Sequence, residues 1–158
     1  MPDSAAVFAA LSIALIIAHS VGDHWVQTTG QAMTKGQPGW PGRLACGRHV
    51  LTLTLTKVLV LIPVVVALDL PVTVPGLAAG LGLDAASHYW ADRRTTLAAL
   101  ARRCRKDELF ALGTPAHPEH PVTAGGTYAP TLGTGAYALD QSWHHLWLGI
   151  TALLITVI

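Results

Sequence analysis

The sequence predicts an all-α, polytopic membrane protein: four transmembrane helices in a single integral membrane domain over 1–158. Three observations carry that expectation. Apolar residues make up 51% of the chain and charged residues only 12%, about half the charged share of a soluble domain. Four runs, at about 4–22, 50–68, 71–90 and 142–158, are apolar enough to cross a bilayer. All ten lysines and arginines fall in two blocks, Lys35 to Lys57 and Arg93 to Lys106. With a net charge of +1 and no basic stripe interleaved with aromatics, no nucleic-acid partner is expected. Two cysteines cannot frame a disulfide scaffold.

The first run, Ser4 to Gly22, gives about 28 Å of helix. Only Asp3 precedes it as a charge, so it lacks the basic start of a signal peptide and is expected to be a retained span. The second, Val50 to Leu68, carries Lys57 and Pro63. The third, Pro71 to Trp90, carries Asp84 and the glycines Gly76, Gly80 and Gly82, which let a neighbouring helix come close. The fourth, Ser142 to Ile158, is short, and Tyr137 to Leu139 can extend it.

Cations set the expected topology. None lies before the first run, in the turn from Asp69 to Val74, or after the fourth run. By the positive-inside rule, the first connection and the long loop at 93–139 face the cytoplasm, and both termini face outward across a bacterial inner membrane. Trp25, Trp90 and Trp143 then fall at cytoplasmic span ends, where aromatic anchors sit.

On that topology the ionisable residues share one level. His19 and Asp23 close the first span, His49 opens the second, His88 and Asp92 close the third, and Asp140 and His144 open the fourth. Three spans thus carry a His and an Asp four residues apart, on one helix face. Such groups in a bilayer normally face a bundle interior or a wet cavity. The expectation is a polar cup open to the cytoplasm. Imidazole and carboxylate together suit zinc first, with manganese or iron as alternatives, and seven donors from His19, Asp23, His49, His88, Asp92, Asp140 and His144 exceed one four-coordinate ion, so two ions are possible. Gln27, Asp84 and Gln141 are expected to orient the ligands from behind. The alternative is a hydrogen-bonded His–Asp network that joins the helices without metal. Lys57 and Asp84, the charges deepest in the apolar runs, are expected to pair with each other at one depth.

These motifs, His19-Ser-Val-Gly-Asp23-His-Trp-Val-Gln27, Lys35, His49, His88-Tyr-Trp-Ala-Asp92 and Asp140-Gln141-Ser-Trp-His144, resemble the bacterial membrane family catalogued as domain of unknown function 3307. The likeness covers nearly the whole chain. It implies a polar set of His19, Asp23, Gln27, His49, His88, Asp92, Asp140, Gln141 and His144, and carries no settled activity. One departure is that Thr52 and Leu53 stand where many members have a second histidine after the one matched by His49. More distantly the chain is similar to proteins labelled membrane-bound metal-dependent hydrolases.

Neighbouring polar residues point elsewhere. His24 and His145 lie about 100° around their helices from the main set. Cys46, three residues before His49, is either a further ligand or a buried small hydrophobe. His117 and His120 belong to a proline-punctuated loop. Thr95 to Leu112 suits one basic amphipathic helix on lipid headgroups or in solvent, and the Gly/Pro/Thr-rich stretch 113–138 is a connection that can cover the cup. The leading expectation is a metal-dependent hydrolase. A divalent ion activates a water against a phosphoester-type, small-molecule or lipid-linked substrate, and Asp23, Asp92 and Asp140 supply acid–base catalysis. A metal-ion or proton translocator and a metal-stabilised scaffold, with or without homo-oligomerisation, are the other two. The near absence of polar residues in Ala5–Ala14, Val58–Val66 and Leu148–Ile158 weighs against a transmembrane pathway.

Overall fold

In the computed structural model, which describes residues 3–113 and 133–158, every regular element is helical. Helix α1 (Ser4–Val21) runs into a π-helical turn (Gly22–Val26). It is followed by α2 (Thr29–Thr34), α3 (Gly39–Ala67), α4 (Val74–Asp92), α5 (Thr95–Arg103), α6 (Asp107–Ala111) and α7 (Gly135–Val157). Two segments, Ser4–Val26 and Gly39–Ala67, are long and apolar enough to cross a membrane. Helices α4 and α7, of 19 and 23 residues, carry His88, Asp92, Asp140 and His144 within them.

Two helices start earlier than the apolar runs imply. Helix α3 begins at Gly39 rather than near 50, and α7 at Gly135 rather than near 142. Hydropathy marks where a helix is apolar, whereas its backbone hydrogen bonds continue through Arg43 and Arg48, or through Asp140. His49 therefore sits well inside α3 instead of opening it.

The long helices form a ring in which α1 packs on α3 and α7, and α4 packs on α3 and α7. The ends of α1 and α4 meet the earlier parts of α3 and α7, so neighbours run antiparallel. Each helix buries one stripe at three- and four-residue spacing: Val7, Leu11, Leu15 and Ala18 on α1; Val50, Leu53, Lys57 and Leu61 on α3; Leu148, Thr151 and Ile155 on α7. At one end these stripes make an apolar core around Leu11, Leu15, Leu61, Leu148 and Ile155. At the other end the same stripes carry the histidines.

Glycine decides the closest approach. The Thr151 hydroxyl on α7 donates to the Gly80 carbonyl on α4 at 3.2 Å. A Cβ at Gly80 would stand 2.8 Å from Ile155 Cγ1 and 3.1 Å from the Thr151 carbonyl, while one at Gly82 would meet open space. The segment between α1 and α3 is fixed from the end of α4. Arg93 donates to the carbonyls of Lys35 (2.6 Å) and Gln37 (2.5 Å), and Arg94 donates to that of Ala32 (2.7 Å). A reciprocal cap between Thr28 and Gln31 starts α2.

Past Arg94 the single amphipathic helix expected over Thr95–Leu112 is two helices. The chain breaks at Cys104–Lys106, where Arg105 takes a positive φ of 55°, and only Leu97 and Ala101 of α5 are buried. Glycine at 135 serves packing, since a side chain there would collide with the Leu109 carbonyl of α6. His117 and His120 lie outside the described residues, as does most of the stretch expected to cover the cup.

Two substitutions on α4 separate close packing from mere helix propensity. Gly80→Ala is expected to destabilise by about 1–3 kcal/mol through overpacking. Gly82→Ala should instead stabilise by about 0.5–1 kcal/mol, the ordinary gain in helix propensity. Denaturant unfolding checks both.

Candidate metal centre

Where α1 ends, the helix widens. The Gln27 amide donates to the Gly22 carbonyl at 2.9 Å, five residues back, a π-type bond of the kind that accumulates at functional sites. Gly22 has no side chain because one would run into Leu53 of α3. The wide turn keeps Asp23 against the helix bundle, while His24 turns out to the Tyr137 hydroxyl (3.0 Å) and Trp25 is left 85% exposed. It also ends the helix. Gln27 is extended (φ −61°, ψ 125°), so it does not continue the His19–Asp23 face by another turn as its spacing suggested.

The three His–Asp pairs stand together within their helices: His19 Nε2–Asp23 Oδ2 at 3.4 Å, His88 Nε2–Asp92 Oδ2 at 3.1 Å and His144 Nε2–Asp140 Oδ1 at 3.5 Å. Contacts between helices are as short. His49 Nε2 lies 3.1 Å from Asp23 Oδ1, 3.1 Å from Asp92 Oδ2 and 3.0 Å from His88 Nε2. His88 reaches Asp23 Oδ1 at 3.8 Å, and its ring stacks on that of His144 with centroids 3.9 Å apart. All four histidines and Asp92 are buried.

Two sets of donor atoms fall within 4.8 Å of one another: Asp23, His49 and His88, and His88, Asp92 and His144. These buried clusters could hold a metal ion. His19 and Asp140 belong to neither set and stand behind Asp23 and His144 respectively. Several of the converging atoms, among them His19 Nε2, Asp23 Oδ1, Asp92 Oδ2 and His144 Nε2, make no well-directed hydrogen bond. Buried polar atoms are normally satisfied, and here they are met by close charge contacts, such as those of Lys35 and His49 with Asp92, more than by well-directed hydrogen bonds. Tetrahedral ligands at ~2.0–2.1 Å from one ion are about 3.3–3.4 Å apart. The inter-residue separations here bracket that value.

Other expected members are placed as follows. Gln141 Nε2 donates to Asp140 Oδ2 at 3.4 Å, and the side-chain nitrogen of Gln27 has no partner. Asp84 does not touch the histidines. Its Oδ2 lies 2.5 Å from Lys57 Nζ, with both side chains buried between α3 and α4. Cys46 donates to the Tyr89 carbonyl at 3.6 Å and belongs to neither donor set.

Sequence reasoning gave Lys35 no role. It is buried, with Nζ 2.9 Å from Asp92 Oδ2. Burial disfavours its ammonium, but the Asp92 and Asp23 carboxylates outweigh that and hold its pKa above the ordinary lysine value. Lys35 stands among the quoted motif residues without a role, and a Thr28-x-x-Gln31 cap starts the short helix that delivers it to the bundle end. Beside it opens a cavity of about 170 Å³, lined by Asp23, Gln27, Lys35, Asp92, Arg94 and Asp140 among others.

The Lys57–Asp84 pair carries a test of its own. Removing one partner leaves a buried charge alone, at a cost of about 3–5 kcal/mol. Lys57→Met and Asp84→Asn are each expected to destabilise the protein strongly, and the double variant by clearly less than their sum. Additive losses in denaturant unfolding would contradict the pairing. No protein-family model, no curated protein and no solved structure matches this chain.

Proposed function

We propose that the protein is an integral membrane metal-binding protein, acting as a metal-dependent hydrolase on a phosphoester-type substrate at the cytoplasmic face. The observation that carries the reading is the donor set itself: imidazole and carboxylate atoms from α1 and its π-helical turn, α3, α4 and α7, gathered 3.0–4.0 Å apart at one end of the bundle. In this reading α4 and α7 complete a four-span bundle whose outer faces meet lipid. Leu59, Val66, Leu153 and Val157 on those outer faces are each more than half exposed, an apolar belt that water would not support. The cation blocks at Lys35–Lys57 and Arg93–Lys106 then put the cluster on the cytoplasmic side of a bacterial inner membrane, with both termini outside. The motif likeness to domain of unknown function 3307 belongs to the same reading.

His49, His88, Asp23 and Asp92 would hold the ion, with His144 completing it or serving a second one. Zinc is the first choice for nitrogen and oxygen donors at these separations. A divalent ion there supplies Lewis-acid polarisation and an activated water. Asp140, at 15% the most exposed side chain of the set, faces the cavity and is placed to move a proton to or from substrate. His19 orients Asp23 from behind. A translocator fits less well, because Leu11, Leu15, Leu61, Leu148 and Ile155 close the far end of the bundle with apolar side chains.

Metal analysis of the purified protein and hydrolysis of p-nitrophenyl phosphate test the reading together. Wild type is expected to carry zinc, manganese or iron, and to lose turnover on chelation and regain it on metal return. Replacing His88 and His144 by Ala together should lower metal content at least about tenfold. Unchanged metal content in that double variant would refute the site, and metal without any chelator-sensitive hydrolysis would refute the activity.

A further inference from the structure

The cavity beside the donor sets has its own chemistry. Three carboxylates, Asp23, Asp92 and Asp140, line it together with two cations, Lys35 and Arg94. Without metal that lining is net negative by one charge, and with one divalent ion it becomes net positive by one. The sign of the cavity therefore follows the metal, and an anion is accepted only once the ion is bound.

The unpartnered carboxylate oxygens of the lining, Asp23 Oδ1 and Asp92 Oδ2, belong to the metal donor sets, and the buried unpartnered atoms of the lining outside those sets are hydrogen-bond donors. Arg94 Nη2 is committed to the Ala32 carbonyl at 2.7 Å, but its Nε–H is buried without a partner. The side-chain amide nitrogen of Gln27 is likewise buried and unpartnered. The Arg94 side chain lies flat over Gly36, where an added Cβ would stand 2.7 Å from its Cδ and 3.0 Å from its Nε. Its backbone takes a positive φ of 58°, uncommon for a residue with a side chain. Lys35 adds a buried ammonium on the same wall. A wall of unspent N–H groups and fixed cations next to a metal is matched by a tetrahedral oxyanion.

We propose that Arg94, Gln27 and Lys35 form an oxyanion clamp that holds a substrate's phosphate group against the metal centre, occupied only when metal is present. This rests on the metal-hydrolase reading above and adds to it the group that the cavity recognises and the residues that recognise it. The phosphate can belong to a water-borne ester or to a lipid headgroup. Its chemistry at the clamp is the same.

Calorimetric titration of the detergent-solubilised, metal-loaded protein with inorganic phosphate tests the clamp, with metal content measured on the same samples. Wild type should bind phosphate when loaded and not after chelation. Arg94→Gln should keep its metal and bind phosphate at least about tenfold more weakly. Gln27→Ala removes a side chain that holds nothing else, and should weaken phosphate about threefold at full metal content. If Arg94→Gln does not fold, Gln27→Ala decides. Fully loaded variants with wild-type phosphate affinity, or loaded wild type that binds no phosphate, would overturn the clamp and leave the metal centre standing. Phosphate binding that persists in metal-free wild type and still depends on Arg94 would overturn the metal requirement. In phosphatidylcholine nanodiscs, loss of phosphate binding on adding phosphatidic acid assigns the phosphate to a lipid, and retained binding assigns it to a soluble ester; under both, Arg94 dependence remains the deciding result.

Discussion

Charge can be buried among apolar helices only when it is paired, and this constraint organises the whole bundle. Lys57 and Asp84, 2.5 Å apart between α3 and α4, are both buried, so the two helices have one register that suits both. That register places His49 of α3, two turns from Lys57, opposite His88 and Asp92 of α4, one and two turns from Asp84. A slide of either helix by one turn would leave two buried charges alone and would also part the histidines. The ion pair and the donor cluster are thus held by the same alignment.

The remaining contacts follow from the same stripe on each helix. Small residues on α4 admit α7 closely, with Thr151 spending its hydroxyl on the Gly80 carbonyl, and this proximity brings the His144 ring onto that of His88. The π-helical turn at Gly22–Val26 solves a different problem. Continuing α1 regularly would carry the chain away from the bundle, whereas the wide turn retains Asp23 and releases Gln27 toward the cavity. Arg93 and Arg94 then bind carbonyls of the returning segment, which brings Lys35 to Asp92. Apolar packing at one end and polar convergence at the other make the bundle asymmetric along its length, and that asymmetry favours a one-sided site over a pathway.

What was legible in the sequence was whatever repeats at helical spacing. His19/Asp23, His88/Asp92 and Asp140/His144 are four residues apart, and helix geometry alone makes each a side-chain pair. The all-helical class followed from the long apolar runs, although hydropathy understated α3 and α7, whose polar first turns are helical too. Spacing failed where the helix changed type. Gln27 is four residues after Asp23, yet the π turn takes it off that face. Lys35 stood in the motif, but its contact with Asp92 was unreadable for another reason: its place depends on two arginine side chains some sixty residues away in sequence. The split of α5 from α6 hangs on a positive φ at Arg105, for which an arginine gives no warning.

The account stands on the converging Nε2 and carboxylate atoms being ligands and not merely a network of polar contacts. X-ray absorption at the zinc edge of protein purified from zinc-supplemented cells tests this most directly. The account requires bound metal with nitrogen and oxygen neighbours at ~2.0–2.1 Å, imidazole scattering included and sulfur absent, because Cys46 is turned to the Tyr89 carbonyl. Protein that folds normally and carries no transition metal, or metal ligated through sulfur, would contradict it.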